Sequence, residues 1–364
     1  MQIIYSITPF IQDDVLNIVL GYPQHISLEH VNEHTIDIRY GIRYVKSREK
    51  LTQVSTSSSL TGFIIQLLEE QLLVPNNVWS FYTSLICINE TKGVDSKIIE
   101  MLGRERIIEV YTTMLKLFEW HKRPICSAIS ITLNPYIPKF SSNIEECLSF
   151  TKELGLNANT KISDLSPKDI ALLASRLYEV LTKSSRKKRN PNELLGKVYI
   201  MSNYAAPITE DPRYLHYILL TTLEKEGPYK VIAPLINDIY WYDLGLTMEN
   251  EITIIHEVVD MILENKLKLS STRNSVILEY EKRLPIVIVG EILESLGIIP
   301  EGNILIQCTS EENCFTSITE IMRAKKKIIV DEAVREGYWD PKSPWIIELG
   351  ELSKLHHKAL KVVA

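Results

Sequence analysis

The fold class of the chain is decided by two neighbouring stretches, Leu284–Ile298 with the sequence LPIVIVGEILESLGI and Asn303–Thr309 with the sequence NILIQCT. The first begins as a continuous apolar run and continues with apolar residues at helical spacing, and the second is a short run rich in isoleucine and leucine. We therefore expect a strand that runs into a helix and is followed by another strand. Alternation of strands and helices along a chain indicates an α/β protein.

Other stretches extend this pattern toward the N-terminus. Residues 1–7, MQIIYSI, residues 15–21, VLNIVLG, and residues 197–203, KVYIMSN, have the composition of short buried strands. Residues 211–227, DPRYLHYILLTTLEKEG, have the spacing of a helix.

Further helices are predicted before residue 190. The best-marked one follows Ser166, which can cap it, and has Pro167 in its first turn. Residues 96–120 have helical spacing that is interrupted near Gly103, so we expect helix on both sides of that glycine.

Composition limits the class of protein. The 364 residues suit two domains, and 45% of them are hydrophobic, which is typical of a globular protein. A formal net charge of -6 argues against strong unaided binding to DNA phosphates. The five cysteines are scattered and form no C-x-x-C pair, so we expect them to be reduced inside a cell. The chain opens without a basic n-region and has no apolar run of about 20 residues, so we expect a cytoplasmic protein outside the membrane.

A basic, polar stretch in the middle of the chain, residues 183–196 with the sequence KSSRKKRNPNELLG, marks the predicted domain boundary. We expect a first domain at 1–182, a basic linker at 183–195 and a second domain at 196–364. The charges have two interpretations, a solvated linker or a contact with single-stranded DNA or with an acidic face of a partner. The candidate contact residues are Lys183, Arg186, Lys187, Lys188 and Arg189.

Three consecutive aromatic residues, Tyr240, Trp241 and Tyr242, form another candidate contact. Aromatic side chains of this kind can stack on nucleic-acid bases, but they more often pack in a core or an interface. We therefore expect a packing role for these residues.

Potential metal ligands are concentrated in Leu20–His34, which contains three of the eight histidines. Within it, HVNEH matches the H-x-x-E-H pattern of one class of zinc peptidases. That site requires a helix, whereas the surrounding residues alternate between apolar and polar, which predicts strand and loop. The alternative is an unorthodox metal-dependent nuclease site, whose candidate residues are His25, Glu29, His30, His34 and Asp37.

Several stretches, taken in order, resemble the RecJ family of DHH phosphoesterases, especially its archaeal GINS-associated branch. Residues 54–64, VSTSSSLTGFI, are similar to the family's serine-rich helix start, and residues 129–156 are similar to its s-x-x-P-x-I-P passage. Residues 211–232 and 283–319 resemble two portions of the family's DHH-associated domain. The resemblance implies a truncated DHH-type domain with a mainly parallel sheet, followed by a smaller α/β DHH-associated domain.

The family cuts DNA or RNA with two divalent metals that are held by carboxylates and histidines at strand ends. Where it has an Asp-His-His triplet, this chain has Gly21, Tyr22 and Pro23. Its opening D-x-D-G motif would precede the chain, residues 6–8 (SIT) replace its second aspartate, and its Gly-Gly-His loop is absent. Glu90 and Asp95 are the candidates for its last aspartate. The resemblance therefore implies a degenerate site with no catalytic residue, no metal and no cofactor.

A RecJ-like protein without catalysis resembles the RecJ-related subunit of the CMG replicative helicase. This implies a nucleoid-associated, non-catalytic replication scaffold that joins the GINS complex to the MCM helicase in a hetero-oligomer and stimulates unwinding. We expect GINS to dock on the first domain, because a truncated sheet exposes an edge that another chain can cover. The alternatives are a RecJ-type metal-dependent single-strand nuclease and a stand-alone module that binds single-stranded DNA.

Overall fold

The structure is a computed structural model of the chain. It describes residues 94–202, 207–235, 237–272, 274–309, 313–324 and 346–350, together with residue 83 and four strands near the N-terminus. These strands are β1 (Asn17–Leu20), β2 (Thr35–Arg39), β3 (Ile42–Ser47) and β4 (Lys50–Gln53).

The four N-terminal strands form a sheet in the order β1-β2-β3-β4. Strand β1 pairs with β2 in parallel, whereas β2 with β3 and β3 with β4 are antiparallel. Only two residues separate β2 from β3, and two separate β3 from β4, and connections this short permit antiparallel pairing only. The expected mainly parallel sheet is therefore corrected to a mixed sheet among the described strands.

The middle of the chain combines helices with a two-stranded antiparallel ribbon. Strand β5 (Ile108–Leu115) pairs with β6 (Leu195–Met201), so the predicted continuation of helix beyond Gly103 is wrong. Residues 108–113 are rich in β-branched and aromatic side chains, and the pairing with a strand about 80 residues away overrides the helical spacing. The helices are α1 (Val94–Arg104), α2 (Ile125–Ile131), α3 (Ile144–Glu153) and α4 (Pro167–Ser184).

The remaining chain builds a five-stranded mixed sheet in the order β11-β10-β9-β8-β7, with helices beside it. Strands β8 and β9 are parallel and are connected through α8, which is the arrangement expected of an α/β protein, and this fold class is confirmed. The helices are α5 (Pro212–Glu226), α6 (Pro228–Ile232), α7 (Tyr240–Leu263), α8 (Ile286–Ser295) and α9 (Ile318–Arg323). The strands are β7 (Leu269–Ser271), β8 (Ser275–Glu279), β9 (Ile304–Cys308), β10 (Cys314–Ser317) and β11 (Ile346–Gly350).

The apolar run at the start of Leu284–Ile298 is helix from Ile286 onward, so the strand expected there is wrong. Residues 286–289 are all buried, and a fully buried helix shows the same continuous apolar run as a buried strand. Pro285 immediately precedes the helix, in agreement with the preference of proline for helix starts.

Side-chain capping groups define where two of the predicted helices begin. The Ser166 side chain accepts a hydrogen bond from the backbone N–H of Asp169 at 3.2 Å, and Pro167 occupies the first turn of α4. Asp211 caps α5 by accepting from the backbone N–H groups of Arg213 and Tyr214. Both predicted helices are confirmed.

Two hydrophobic clusters lie inside the described structure. The smaller one packs α2, α4, β5 and β6 together and includes Leu115, Leu177 and Val198. The larger one extends from α1 through α7 to β9 and includes Leu102 and Trp241. Each cluster draws residues from both sides of the 183–195 stretch, and the division of the chain into domains there stays a prediction.

Four of the five cysteines form disulfides, which corrects the expectation that all are reduced. Cys126 bonds to Cys147 across 21 residues of sequence, and Cys308 bonds to Cys314 across adjacent strands β9 and β10. The sequence does not reveal these pairs, because the cysteines of each pair meet only when the elements that carry them pack.

Candidate functional site

Most positions of the predicted metal site lie outside the described residues. This applies to Gly21, Tyr22 and Pro23, to residues 6–8, to Glu90, and to His25, Glu29, His30 and His34. Asp37 lies in strand β2 and Asp95 in the first turn of α1. Within the part of the chain that the structure describes, no group of three or more His, Cys, Asp or Glu side chains is placed to hold a metal ion.

The basic segment, residues 183–189, joins the C-terminal end of α4 to the short helical turn at Pro191–Glu193. Four of its five cationic residues are exposed, but Arg189 is buried and forms a 2.5 Å ion pair with Glu193. The structure thus separates Arg189 from the other candidate contact residues and gives it a role in packing. The exposed candidates are Lys183, Arg186, Lys187 and Lys188.

The backbone of the basic segment is fixed to the C-terminal end of α8. The Arg186 N–H and the Ser185 hydroxyl both donate to the carbonyl oxygen of Leu296, at 2.9 and 3.2 Å. Gly297 lies against Lys187 so closely that an added Cβ would be 2.8 Å from the Lys187 Cβ. At the other end, the Tyr178 hydroxyl donates to the Arg189 carbonyl at 2.9 Å. The cationic side chains other than that of Arg189 are therefore exposed to solvent, while the backbone that carries them is held by hydrogen bonds at both ends.

The position of the basic segment has a simple structural explanation as well as a functional one. The C-terminal end of a helix carries a partial negative charge, and nearby cations are favourable there by about 0.3–1 kcal/mol. Arg186 and Lys187 lie beside the end of α8 and fit this explanation. Their exposed side chains nevertheless remain accessible to phosphate or carboxylate groups of another molecule.

A second candidate surface lies on the first two turns of α7. The α7 ridge is formed by Ile239, Tyr242 and Leu246, which are 62%, 63% and 59% exposed. Their spacing of three and then four residues places them on one face of the helix. Trp241 lies on the opposite face and is fully buried in the larger hydrophobic cluster. Tyr240 is exposed at the flank of the ridge.

The sequence around the α7 ridge contains acidic side chains and no lysine or arginine. Residues 231–265 contain seven carboxylates and no lysine or arginine. Asp238, Asp243 and Glu249 are exposed next to the ridge residues along the chain. Along the chain, the apolar row is therefore flanked by acidic side chains.

Sequence reasoning anticipated the packing role of Trp241 but missed the ridge. It treated the three aromatic residues together, whereas the helix turns Trp241 inward and Tyr242 outward. Two signals could have identified the ridge, the helical spacing of Ile239, Tyr242 and Leu246 and the lack of cations in residues 231–265.

Two buried carboxylates have structural partners. Glu224 accepts a hydrogen bond from the Val287 N–H at 3.0 Å and so caps helix α8, which lacks a capping side chain of its own. Glu320 accepts from the Leu305 N–H at 2.6 Å and pairs with Arg323 at 2.6 Å. Burial raises the pKa of Glu224, and burial raises the pKa of Glu320 to about 7 although Arg323 acts in the opposite direction. These contacts hold α8 and β9 in place.

The buried face of α7 carries a titratable group. His256 is nearly buried and its ring lies 5.8 Å from the ring of Tyr136, centroid to centroid. Its Nε2 atom has no hydrogen-bond partner among the described residues. Burial lowers the pKa of His256 to about 4, so the imidazole is neutral at physiological pH.

No protein-family model matches the chain, and no curated protein matches it. Among solved structures, the crystal structure of CDC45 from Entamoeba histolytica is similar over 82% of this chain and 71% of that chain. The TM-score is 0.50 and the sequence identity is 9%. The chain is therefore an α/β protein with a fold like that of CDC45. Among the described helices, none combines the length and apolar character needed to cross a membrane.

Proposed function

We propose that the protein is a non-catalytic, RecJ-like scaffold of DNA replication that joins a GINS complex to an MCM helicase in a CMG-type complex and stimulates unwinding. The observation that carries the proposal is the CDC45-like fold over 82% of the chain. The family resemblance along the sequence supports it, because the similar stretches follow the degenerate triplet position in the order that the family has.

The chemistry of the triplet position supports a non-catalytic role. Two-metal catalysis requires several oxygen or imidazole donors at one site. Gly21, Tyr22 and Pro23 provide no carboxylate and no imidazole where the family has Asp-His-His. Even if His25 took one ligand position, a single histidine would not hold two divalent ions.

A nuclease assay tests the non-catalytic part. We expect the purified protein to leave labelled single-stranded DNA intact in the presence of Mn²⁺, and His30→Ala to behave in the same way. Degradation by the wild-type protein that disappears in His30→Ala would establish the nuclease alternative instead.

A binding assay tests the proposed contact with GINS on residues 1–182. A fragment of those residues is compared with the whole chain, after circular dichroism has shown that the fragment is folded. We expect purified GINS to bind both. A folded fragment that fails to bind while the whole chain binds would remove this docking site from the proposal.

Binding of single-stranded DNA is a second candidate function, and the basic segment favours it. Lys183, Arg186, Lys187 and Lys188 are exposed within six residues and are presented from a packed backbone. Cations in such an arrangement can contact successive phosphates of a single strand. The net charge of -6 predicts that this binding is weak and sensitive to salt.

A further inference from the structure

We infer that the α7 ridge is a docking site for another protein, whose contacting face is apolar and bordered by lysine or arginine. This surface is separate from residues 1–182, on which GINS is proposed to dock, and the inference does not depend on the proposed function.

Exposure of three large apolar residues on one helix face is the first argument. Ile239, Tyr242 and Leu246 are each about three-fifths exposed, and they follow one another along about 10 Å of helix axis. Exposed apolar groups are common singly, but a contiguous row of large ones is typical of an interaction site. Tyrosine is also among the residues that contribute most to protein interfaces.

The rigidity of the ridge is the second argument. Beneath it, Trp241, Leu244 and Met248 are fully buried in the larger hydrophobic cluster, so this part of α7 is fixed to the core. A surface that is already ordered loses little conformational entropy when it binds a partner. The row of side chains is thus suited to packing against a helix of another protein.

Charge decides the chemistry of the partner. Asp238, Asp243 and Glu249 are exposed beside the ridge in a stretch without lysine or arginine, and they would repel the phosphates of a nucleic acid. They would attract a protein with cations around its apolar face, and complementary charge increases both association rate and specificity. Tyr240 and Tyr242 are therefore interface residues and do not form a platform for bases.

Photo-crosslinking tests the inference in the cells that naturally produce the protein. The photoreactive amino acid benzoylphenylalanine replaces Tyr242 in the full-length chain, and the control carries it at Leu172, which is an exposed apolar residue on α4. We expect an adduct with a different protein at position 242 and little at position 172. Mass spectrometry identifies the captured protein and the crosslinked peptide, which should contain apolar residues flanked by lysine or arginine.

A matched pair of charge substitutions completes the test. Leu246→Asp should reduce the adduct yield at position 242 by roughly tenfold or more, because it places a charge in the middle of the apolar row. Leu172→Asp, an equal change on another helix, should leave the yield unchanged. Melting temperatures close to that of the wild-type protein show that both variants are folded.

Three results would overturn the inference. They are a yield at position 242 no higher than that at position 172, an adduct only with nucleic acid or with a second copy of this chain, and an adduct that persists in Leu246→Asp. An adduct with a protein outside replication would support the docking site while contradicting the proposed function. An adduct with an MCM or GINS subunit would support both.

Discussion

The basic segment and the α7 ridge are both exposed and both rigidly supported, but they are opposite in chemistry. The basic segment presents four exposed cations from a backbone that is hydrogen-bonded to the end of α8. The α7 ridge presents apolar side chains within a stretch of 35 residues that has no lysine or arginine. The difference shows that the chain separates a surface suited to phosphates or acidic groups from one suited to an apolar, basic partner.

The largest expected effect on stability is a difference between substitutions on the two faces of α7. Trp241→Ala should reduce the free energy of unfolding by about 3–5 kcal/mol, because it leaves a cavity in the larger hydrophobic cluster. Tyr242→Ala should change it by less than about 0.5 kcal/mol, because that side chain lies mostly in solvent. Urea denaturation measures both values. Similar losses in the two variants would show that Tyr242 is part of the core and that the ridge is not a free surface.

A pH-dependent effect is expected from the buried face of the same helix. Because the pKa of His256 is lowered to about 4 in the folded protein, the unfolded chain binds the proton more readily below pH 6.5. Stability from the neutral imidazole is therefore present above pH 6.5 and is lost as the pH falls toward 4. The contribution of this histidine alone should lower the free energy of unfolding by about 2 kcal/mol when the pH falls from 7 to 5.

The comparison of His256→Gln with the wild-type protein isolates this contribution. Glu320 acts in the opposite direction, since its raised pKa gives stability at low pH that is lost as the pH rises from 4.5 to 7. The contribution of Glu320 is present in both proteins and therefore cancels in the difference between their unfolding free energies. Equal pH dependence of the unfolding free energy in the two proteins would contradict the burial of His256.

The contact that supports the basic segment gives a smaller effect. Gly297→Ala should reduce the free energy of unfolding by about 1 kcal/mol more than Gly155→Ala does. Both glycines have φ near +70°, but only at Gly297 would the added Cβ meet Lys187. Trypsin should also cleave faster after Lys187 and Lys188 in Gly297→Ala. Equal stability of the two variants, with unchanged cleavage, would show that the end of α8 does not hold the segment.

The smallest effect on stability is expected when the exposed cations are removed. Replacing Lys183, Arg186, Lys187 and Lys188 by glutamine should change the unfolding free energy by less than about 0.5 kcal/mol each. If these residues bind single-stranded DNA, the slope of log K against log salt should become shallower by about 0.7 for each phosphate that is no longer neutralised. Fluorescence anisotropy with a labelled oligonucleotide measures this slope.

A matched control uses four exposed lysines elsewhere, which are Lys97, Lys152, Lys161 and Lys168. Their replacement by glutamine changes the net charge equally but should leave the slope close to that of the wild-type protein. The same decrease in both quadruple variants would assign DNA binding to overall charge and would remove the basic segment as a specific contact.

Local chemistry made part of the fold predictable from the sequence. Ser166, Pro167 and Asp211 define the starts of α4 and α5 through contacts within a few residues. Strand β5 was predicted as helix because its partner β6 lies about 80 residues away, and pairing at that distance leaves no local signal. For the same reason the bonding of Cys126 to Cys147 could not be inferred.

The candidate sites show the same limit. The cations of the basic segment were visible in the sequence, but the burial of Arg189 depends on its ion pair with Glu193 and on the packing around it. Trp241 is buried and Tyr242 is exposed because of where α7 begins and which of its faces packs against the core. The charge pattern of residues 231–265, by contrast, required no structure to recognise.

Reconstitution tests the scaffold most directly. Purified GINS and MCM are mixed with and without the full-length chain, and size-exclusion chromatography with light scattering measures the mass of each complex. A scaffold predicts one complex that contains all three components and that forms only when the chain is present. Separate elution of the chain at concentrations at which GINS and MCM are folded and active would contradict it.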